Sequence, residues 1–263
     1  MKKYLNPNRY FARFRSYRHG RNYSLAYRDI LKAEMEKFEK CKFSYEESLE
    51  RLNEVLNALG RPDFNKETDS IHWLLFACIS QILRRGNILE IGTYLGEASL
   101  ILSKLFPDSR IITVDLPDDD PILTSTYKRE KSEELRIYKE EQKQNLANSR
   151  IKFLQVNSFF IPEIVREKFD LIWIDGGHLY PEIAWDICNA YHLANKGGYI
   201  MCDDVITHSN GFRNEYVSPD SYIVLEYIRE RTGEDITYFL KREAPAASAD
   251  PKKRKYVALM RRV

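Results

Sequence analysis

Cysteine is scarce in this sequence. There are 4 in 263 residues, at Cys41, Cys78, Cys188 and Cys202, and no two form a CxxC pair. That excludes a disulfide-stapled scaffold and a cysteine zinc site. Three of the four lie in apolar stretches and suit reduced thiols in a cytoplasmic protein. No apolar run approaches the roughly 18 residues of a membrane span, and the basic N-terminus lacks the apolar segment of a secretory signal. Neither sign of charge dominates: 41 Lys and Arg against 39 Asp and Glu leave a net charge of +2. A whole-protein basic field is absent, so nucleic acid is not an expected partner.

With 43% hydrophobic residues the chain can bury a sizeable core, and its length suits one α/β domain with an added segment. Residues 1–30 carry eight Lys and Arg, one acid and seven interleaved aromatics. Such an arm packs on its own domain or on a sister subunit, or else meets RNA or an anionic surface. Ser44 and Glu47 have the spacing of a capping box. Leu49, Leu52, Val55, Leu56 and Leu59 then form one apolar stripe, stopped by Gly60 and Pro62. A second helix is predicted from about Asp69 to Arg85. It carries His72, to which no role is assigned. The division predicted is 1–65, an arm and helical segment, and 66–263, the main domain.

From Asn87 the pattern alternates strand and helix. Strands are predicted at Ile88–Ile91, Ile111–Val114, Ile151–Val156, Leu171–Ile174 and Tyr199–Cys202. Helices are predicted at about Glu97–Leu105, Ser132–Asn148, Pro181–Ala194 and Asp220–Arg231. Short apolar runs separated by helices argue for a doubly wound, mostly parallel α/β sheet covered on both faces. Ile236–Lys241 and Tyr256–Arg261 have no helix between them and should close the sheet as an antiparallel hairpin, making seven strands. Asp118-Asp119-Asp120-Pro121 and Thr124–Tyr127 lie beside the expected cleft, where they can form a lid.

Three places carry chemistry. Gly92-Thr93-Tyr94-Leu95-Gly96 is a glycine turn after the first strand, able to bring backbone N–H groups to a ligand. Tyr94 stands where a dinucleotide fingerprint needs its middle glycine, which counts against NAD. Asp115 ends the second strand, 25 residues after Glu90, placed for the hydroxyls of an adenosine ribose. Asp175 follows the fourth strand, and Asp203 and Asp204 end the fifth. Three carboxylates around one crevice repel unless a cation joins them, and Mg²⁺ or Mn²⁺ suits such oxygens.

ILEIGTYLGEAS, ITVDL, FDLIWIDGGHLYP and KGGYIMCDDV, within about Ile71 to Val205, resemble the metal-dependent class I O-methyltransferases. The likeness is strongest to the branch that methylates sugars of macrolide and aminocoumarin antibiotics, and more distant to the catechol enzymes. The resemblance implies S-adenosylmethionine held by Glu90, Gly92, Thr93, Tyr94, Gly96, Ser99, Asp115, Asn157, Ser158 and Asp175. It implies a divalent ion on Asp175, Asp203 and Asp204, with His178 as the base beside Asp175. The acceptor implied is a small molecule or glycoside, and a homo-oligomer is expected. Asn157 departs from the family, standing where many relatives have an acid near the adenine. Two alternatives stand beside this reading. One is a methyltransferase for a phenolic, catechol-like acceptor. The other is a non-catalytic RNA- or partner-binding protein on the same fold.

Overall fold

Seven strands pair into one sheet in the computed structural model, which describes residues 27–125, 132–208, 213–214, 217–244, 250 and 254–263. The basic arm before residue 27, and Thr126 and Tyr127 of the expected lid, lie outside the described residues. The strands are β1 (Asn87–Ile91), β2 (Arg110–Asp115), β3 (Ile151–Gln155), β4 (Phe169–Ile174), β5 (Ala194–Val205), β6 (Asp235–Leu240) and β7 (Tyr256–Arg261). Their order is β3-β2-β1-β4-β5-β7-β6. The first five run parallel, while β7 runs antiparallel to both β5 and β6. This is the predicted doubly wound sheet with its terminal hairpin.

The helices are α1 (residues 27–40), α2 (Tyr45–Ala58), α3 (His72–Ile82), α4 (Glu97–Leu105), α5 (Pro121–Ser125), α6 (Ser132–Asn145), α7 (Ile161–Ile164), α8 (Glu182–Leu193) and α9 (Asp220–Thr232). No helix among the described residues is long and apolar enough to cross a membrane.

Alternation along the strands sorts the core into two layers. Ile88, Ile111, Leu171, Trp173, Tyr199, Met201, Val257 and Leu259 face one side, where Leu52 and Leu56 of α2 and Leu74, Leu75 and Ile79 of α3 cover them. Leu89, Ile112, Val114, Ile172, Ile174, Ile200 and Met260 face the other side, under α8 and α9. Side chains of period two cannot share a face with their neighbours, so each strand feeds both layers. Leu52 and Leu56 are fully buried in the same core as the sheet, so α2 packs into the same domain.

Some boundaries move. α2 begins after Ser44 as predicted, yet the Ser44 side chain makes no capping bond. Its carbonyl instead accepts from both the N–H and the hydroxyl of Ser48, so the capping box does not form. α3 is shorter than its apolar pattern at both ends. Asp69 is drawn into a turn by accepting from the Asn65 N–H at 2.8 Å, and Leu83 is already extended. β5 starts at Ala194, where helix was predicted, because Ala194 pairs with Phe169.

Gly92 fixes how β1 leaves the sheet. Its φ is +94°, and a Cβ there would lie 2.1 Å from the Asp175 carbonyl oxygen. The β1 turn and the end of β4 therefore touch backbone to backbone, and any side chain forces them apart. Gly92→Ala is expected to destabilise the fold by about 2 kcal/mol or more. Gly60→Ala, also at positive φ but with nothing within 4 Å, is the control for φ alone. Equal melting temperatures for the two variants would contradict this.

Candidate active site

The carboxyl ends of β1, β4 and β5 open into one crevice, because parallel neighbours all end on the same side. The glycine turn lies at one wall. Tyr94 has φ +48° and Gly96 φ +76°, and Gly96 caps α4. Asp115, at the end of β2, closes the turn. Its Oδ2 accepts from the Tyr94 N–H at 2.8 Å and its Oδ1 from the Leu116 N–H at 2.9 Å.

Beneath the turn lies a buried polar knot. Glu90 shares its sheet face with Ile88 and pairs in register with Thr113, so it points under α4. Its Oε2 accepts from the Ser99 hydroxyl and, at 2.5 Å, from the Thr113 hydroxyl. Thr93 bonds Thr113 at 2.6 Å. Glu90, Thr93 and Ser99 are each 3% exposed or less, so these three predicted cofactor contacts are brought together below the crevice wall, where they brace the turn. Burial pushes the Glu90 carboxyl up to about 7, against the two hydroxyl bonds that favour its charge.

The inserted helix α6, predicted as mostly solvated, grips the turn from outside. Tyr138 and Gln142 both donate to the Tyr94 carbonyl, at 2.9 and 2.6 Å, and Asn145 donates to the Leu95 carbonyl at 2.9 Å. A Cβ on Gly96 would lie 2.7 Å from Leu146 just past α6. Gly96 thus answers both a positive φ and this packing. The acidic turn is tied in as well, since Asp118 accepts from Lys139 of α6 and from Gln155 of β3.

Asn157 and Ser158 leave β3 on the far side. Asn157 caps a short 3₁₀ turn by accepting from the Phe159 N–H at 2.9 Å. With Phe159, Phe160, Tyr180, Pro181, Glu182 and Trp185 they line a pocket of about 480 Å³. Trp185 stacks on Phe159 with ring centroids 4.5 Å apart. Ser158 bonds the buried Asp186 carboxyl, which burial pushes up to about 6.

Asp175, His178, Asp203 and Asp204 do converge. His178 Nε2 lies 3.7 Å from Asp175 Oδ1 and 3.9 Å from Asp204 Oδ2, within ion-pair range and beyond a hydrogen bond. Its Nδ1 is buried without a partner. Burial lowers the His178 pKa, and the opposing pull of Asp204 and Asp203 does not overcome it. Asp175 is pushed up, by burial first and by the Asp203 carboxylate second.

Two residues that the sequence pattern did not single out complete the group. Lys241, just past β6, places its Nζ 2.5 Å from Asp203 Oδ2 and 2.6 Å from Asp204 Oδ1. Lys255, just before β7, places its Nζ 2.6 Å from Asp204 Oδ2. Asp203 is 3% exposed, and burial would raise its pKa, but the adjacent ammonium of Lys241 holds it well below the usual range. Asp204 adopts φ +51° at a break in the β5–β7 register, which turns its side chain toward both lysines. A divalent ion on Asp175, Asp203 and Asp204 was the sequence expectation. In this arrangement three of the four oxygens of the Asp203–Asp204 pair already hold ammonium groups. Among the described residues no group of three or more His, Cys, Asp or Glu is placed to hold a metal. The donor set as it stands does not fit a divalent ion.

His72 also borders this group. Its ring stacks on Trp173 at 4.6 Å, and Nδ1 lies 2.7 Å from the Ser70 hydroxyl. Burial pushes its pKa down to about 3, against the pull of Asp203.

The Glu90 shift has a stability consequence. Its folded pKa is raised from 4.5 to about 7, so the protonated form is what folding favours. The stability it contributes is complete below pH 4.5 and is lost as pH rises through 7. Glu90→Gln keeps an acceptor for both hydroxyls and carries no charge. Thermal unfolding should find it close to wild type below pH 4.5 and more stable than wild type above pH 7. A constant offset across that range would show that the carboxyl does not titrate this way.

Residues 89–205 match a family model described as a methyltransferase domain. No curated protein matches the chain. Among solved structures, the O-methyltransferase TomG from Streptomyces achromogenes, involved in tomaymycin synthesis and solved with SAM, is similar with 17% identity and a TM-score of 0.52. The match covers 86% of this chain and 95% of that one. An O-methyltransferase from Bacillus cereus, in complex with SAH, is similar with 18% identity and a TM-score of 0.52, over 82% of this chain and 90% of that one. The chain therefore has the seven-stranded α/β methyltransferase fold, and its residues 89–205, from β1 to the end of β5, match the methyltransferase-domain family.

Proposed function

We propose that this chain is an S-adenosylmethionine-dependent O-methyltransferase acting on a hydroxyl of a sugar or other glycosylated small molecule. The observation that carries this reading is the crevice itself. A braced glycine turn and a terminal strand acid stand on one wall, and a buried imidazole faces carboxylates on the other. The cofactor would lie along Gly92–Gly96, with Asp115 near its ribose, Asn157 and Ser158 near its adenine and Asp175 near its methionine end. The aromatic pocket beside Asn157 suits a flat base. Similar structures that hold SAM or SAH support the same cofactor. Bound there, the cofactor supplies a methyl carbon on a positive sulfur, which keeps the electron pair of the broken bond.

The residues of the chain do the rest. The carboxylate of Asp204 and the ammonium of Lys255, at the outer side of the cluster, offer hydrogen-bonding groups to a hydroxyl-rich acceptor, which favours a sugar over a bare phenol. His178 takes the hydroxyl proton as the oxygen forms its new bond to carbon. A lowered pKa keeps the imidazole neutral and basic at neutral pH. Its Nε2 faces the Asp175 and Asp204 carboxyls, where the acceptor hydroxyl would lie.

Calorimetry should show binding of S-adenosylmethionine and S-adenosylhomocysteine, and none of NAD. Wild-type protein that binds neither sulfur compound would overturn the proposal. Across a panel of glycosides, His178→Ala should lower kcat by about 10²–10⁴-fold with cofactor affinity and melting temperature nearly unchanged. In wild type the acidic limb of the kcat profile should lie below pH 6.5, the ordinary histidine value. A variant that keeps its rate would place the base elsewhere.

A further inference from the structure

Lys241 is positioned from both ends. Its backbone N–H donates to the Lys255 carbonyl at 2.8 Å, and its carbonyl accepts from the Ile71 N–H at 2.9 Å, which ties the end of β6 to the start of α3. The ladder then sets its height in the sheet. Val205 pairs with Tyr256, and Tyr256 with Leu240, so Lys241 and Lys255 stand at the end of the sheet where β5 delivers Asp203 and Asp204. A lysine side chain is long enough to cross the intervening strand, about 4.8 Å per spacing. Its side chain is 12% exposed and bridges the two carboxylates. An ammonium this buried persists only with carboxylates against it. Burial works against its charge, and Asp203, Asp204 and Asp175 together outweigh that effect. The cluster holds three carboxylates and two ammonium groups, so its charge is largely balanced from within the chain.

We propose that Lys241 is the built-in cation of this crevice: its ammonium joins Asp203 and Asp204 where a divalent ion would otherwise be needed, and methyl transfer proceeds without one. This rests on the methyltransferase reading above. Lys241 acts as a positioning residue. It fixes the outward turn of Asp204 at φ +51° and so sets where the acceptor hydroxyl is held beside His178. Lys255, on the outer oxygen of Asp204, completes the pair from the solvent side, its side chain 38% exposed.

The test titrates Mn²⁺ into the full chain, read by electron paramagnetic resonance, alongside methyl-transfer rates with and without EDTA. Wild type should leave Mn²⁺ free and keep its rate in EDTA. Lys241→Ala should uncover the carboxylate pair, begin to bind Mn²⁺, and lose about a hundredfold in kcat, the scale of a misplaced acceptor. Its affinity for S-adenosylmethionine should hold, and Lys241→Arg, which restores a cation, should recover part of the rate. If Lys241→Ala does not fold, by circular dichroism, the half-exposed Lys255→Ala takes its place, with a smaller gain in Mn²⁺ binding and a smaller loss of rate. Wild type that binds Mn²⁺, or loses its rate in EDTA and regains it with Mg²⁺, would overturn the proposal. So would a folded Lys241→Ala with wild-type kcat that leaves Mn²⁺ free. Wild type that binds no S-adenosylmethionine would instead fell the methyltransferase reading, while the Mn²⁺ titrations would still judge the cation assignment.

Discussion

A carboxylate held at 3% exposure must be answered by a nearby positive charge, and Asp203 imposes that demand on everything around it. An uncompensated charge at that depth costs several kcal/mol, comparable to much of a domain's net stability. The answer comes from the terminal hairpin. Because β7 returns antiparallel between β5 and β6, the end of β6 and the start of β7 both reach the level where β5 ends. A sixth parallel strand would have arrived at that level with its own carboxyl end and no fixed partner strand. The order of the last two strands is thus an electrostatic matter as well as a way of finishing the sheet.

The parts of this arrangement that depend on local pattern were legible in the sequence. Apolar runs bounded by glycine and charge marked all seven strands. Asp115, Asp175, Asp203 and Asp204 were marked because an acid just after a parallel strand faces the crevice wherever that strand lies. Lys241 and Lys255 were not, for a physical reason. Their position depends on the register between β6 and β7, and a slip of one residue in an antiparallel pair moves each side chain to the opposite face. Nothing in a polar, Pro/Ala-rich loop declares that register. Glu90 did carry a usable signal. It lies two residues after Ile88, on the face that α4 covers, so alternation alone directs its carboxyl beneath that helix.

Polar groups within the sheet are handled differently in its two halves. Around Glu90, hydroxyls of Ser99 and Thr113 satisfy a carboxyl whose pKa burial has raised to about 7. Around Asp203, the ammonium of Lys241 holds the carboxylate charged. Hydroxyls can bond either protonation state, whereas an ammonium selects the charged one. The first group braces a turn and stays inside. The second lies at the carboxyl end of the sheet, where Lys255 is its most exposed member.

The grip of α6 on the glycine turn has one more property. All three of its bonds end on main-chain carbonyls, two on Tyr94 and one on Leu95. Such a clamp recognises the path of the backbone first. Tyr94 is 48% exposed, and its ring tilts against that of Tyr138 of α6, centroids 5.8 Å apart, so the helix meets one side chain of the loop as well as its path. The contour of the loop is therefore dictated mainly from outside it, by α6 and the glycines, before any molecule enters the crevice.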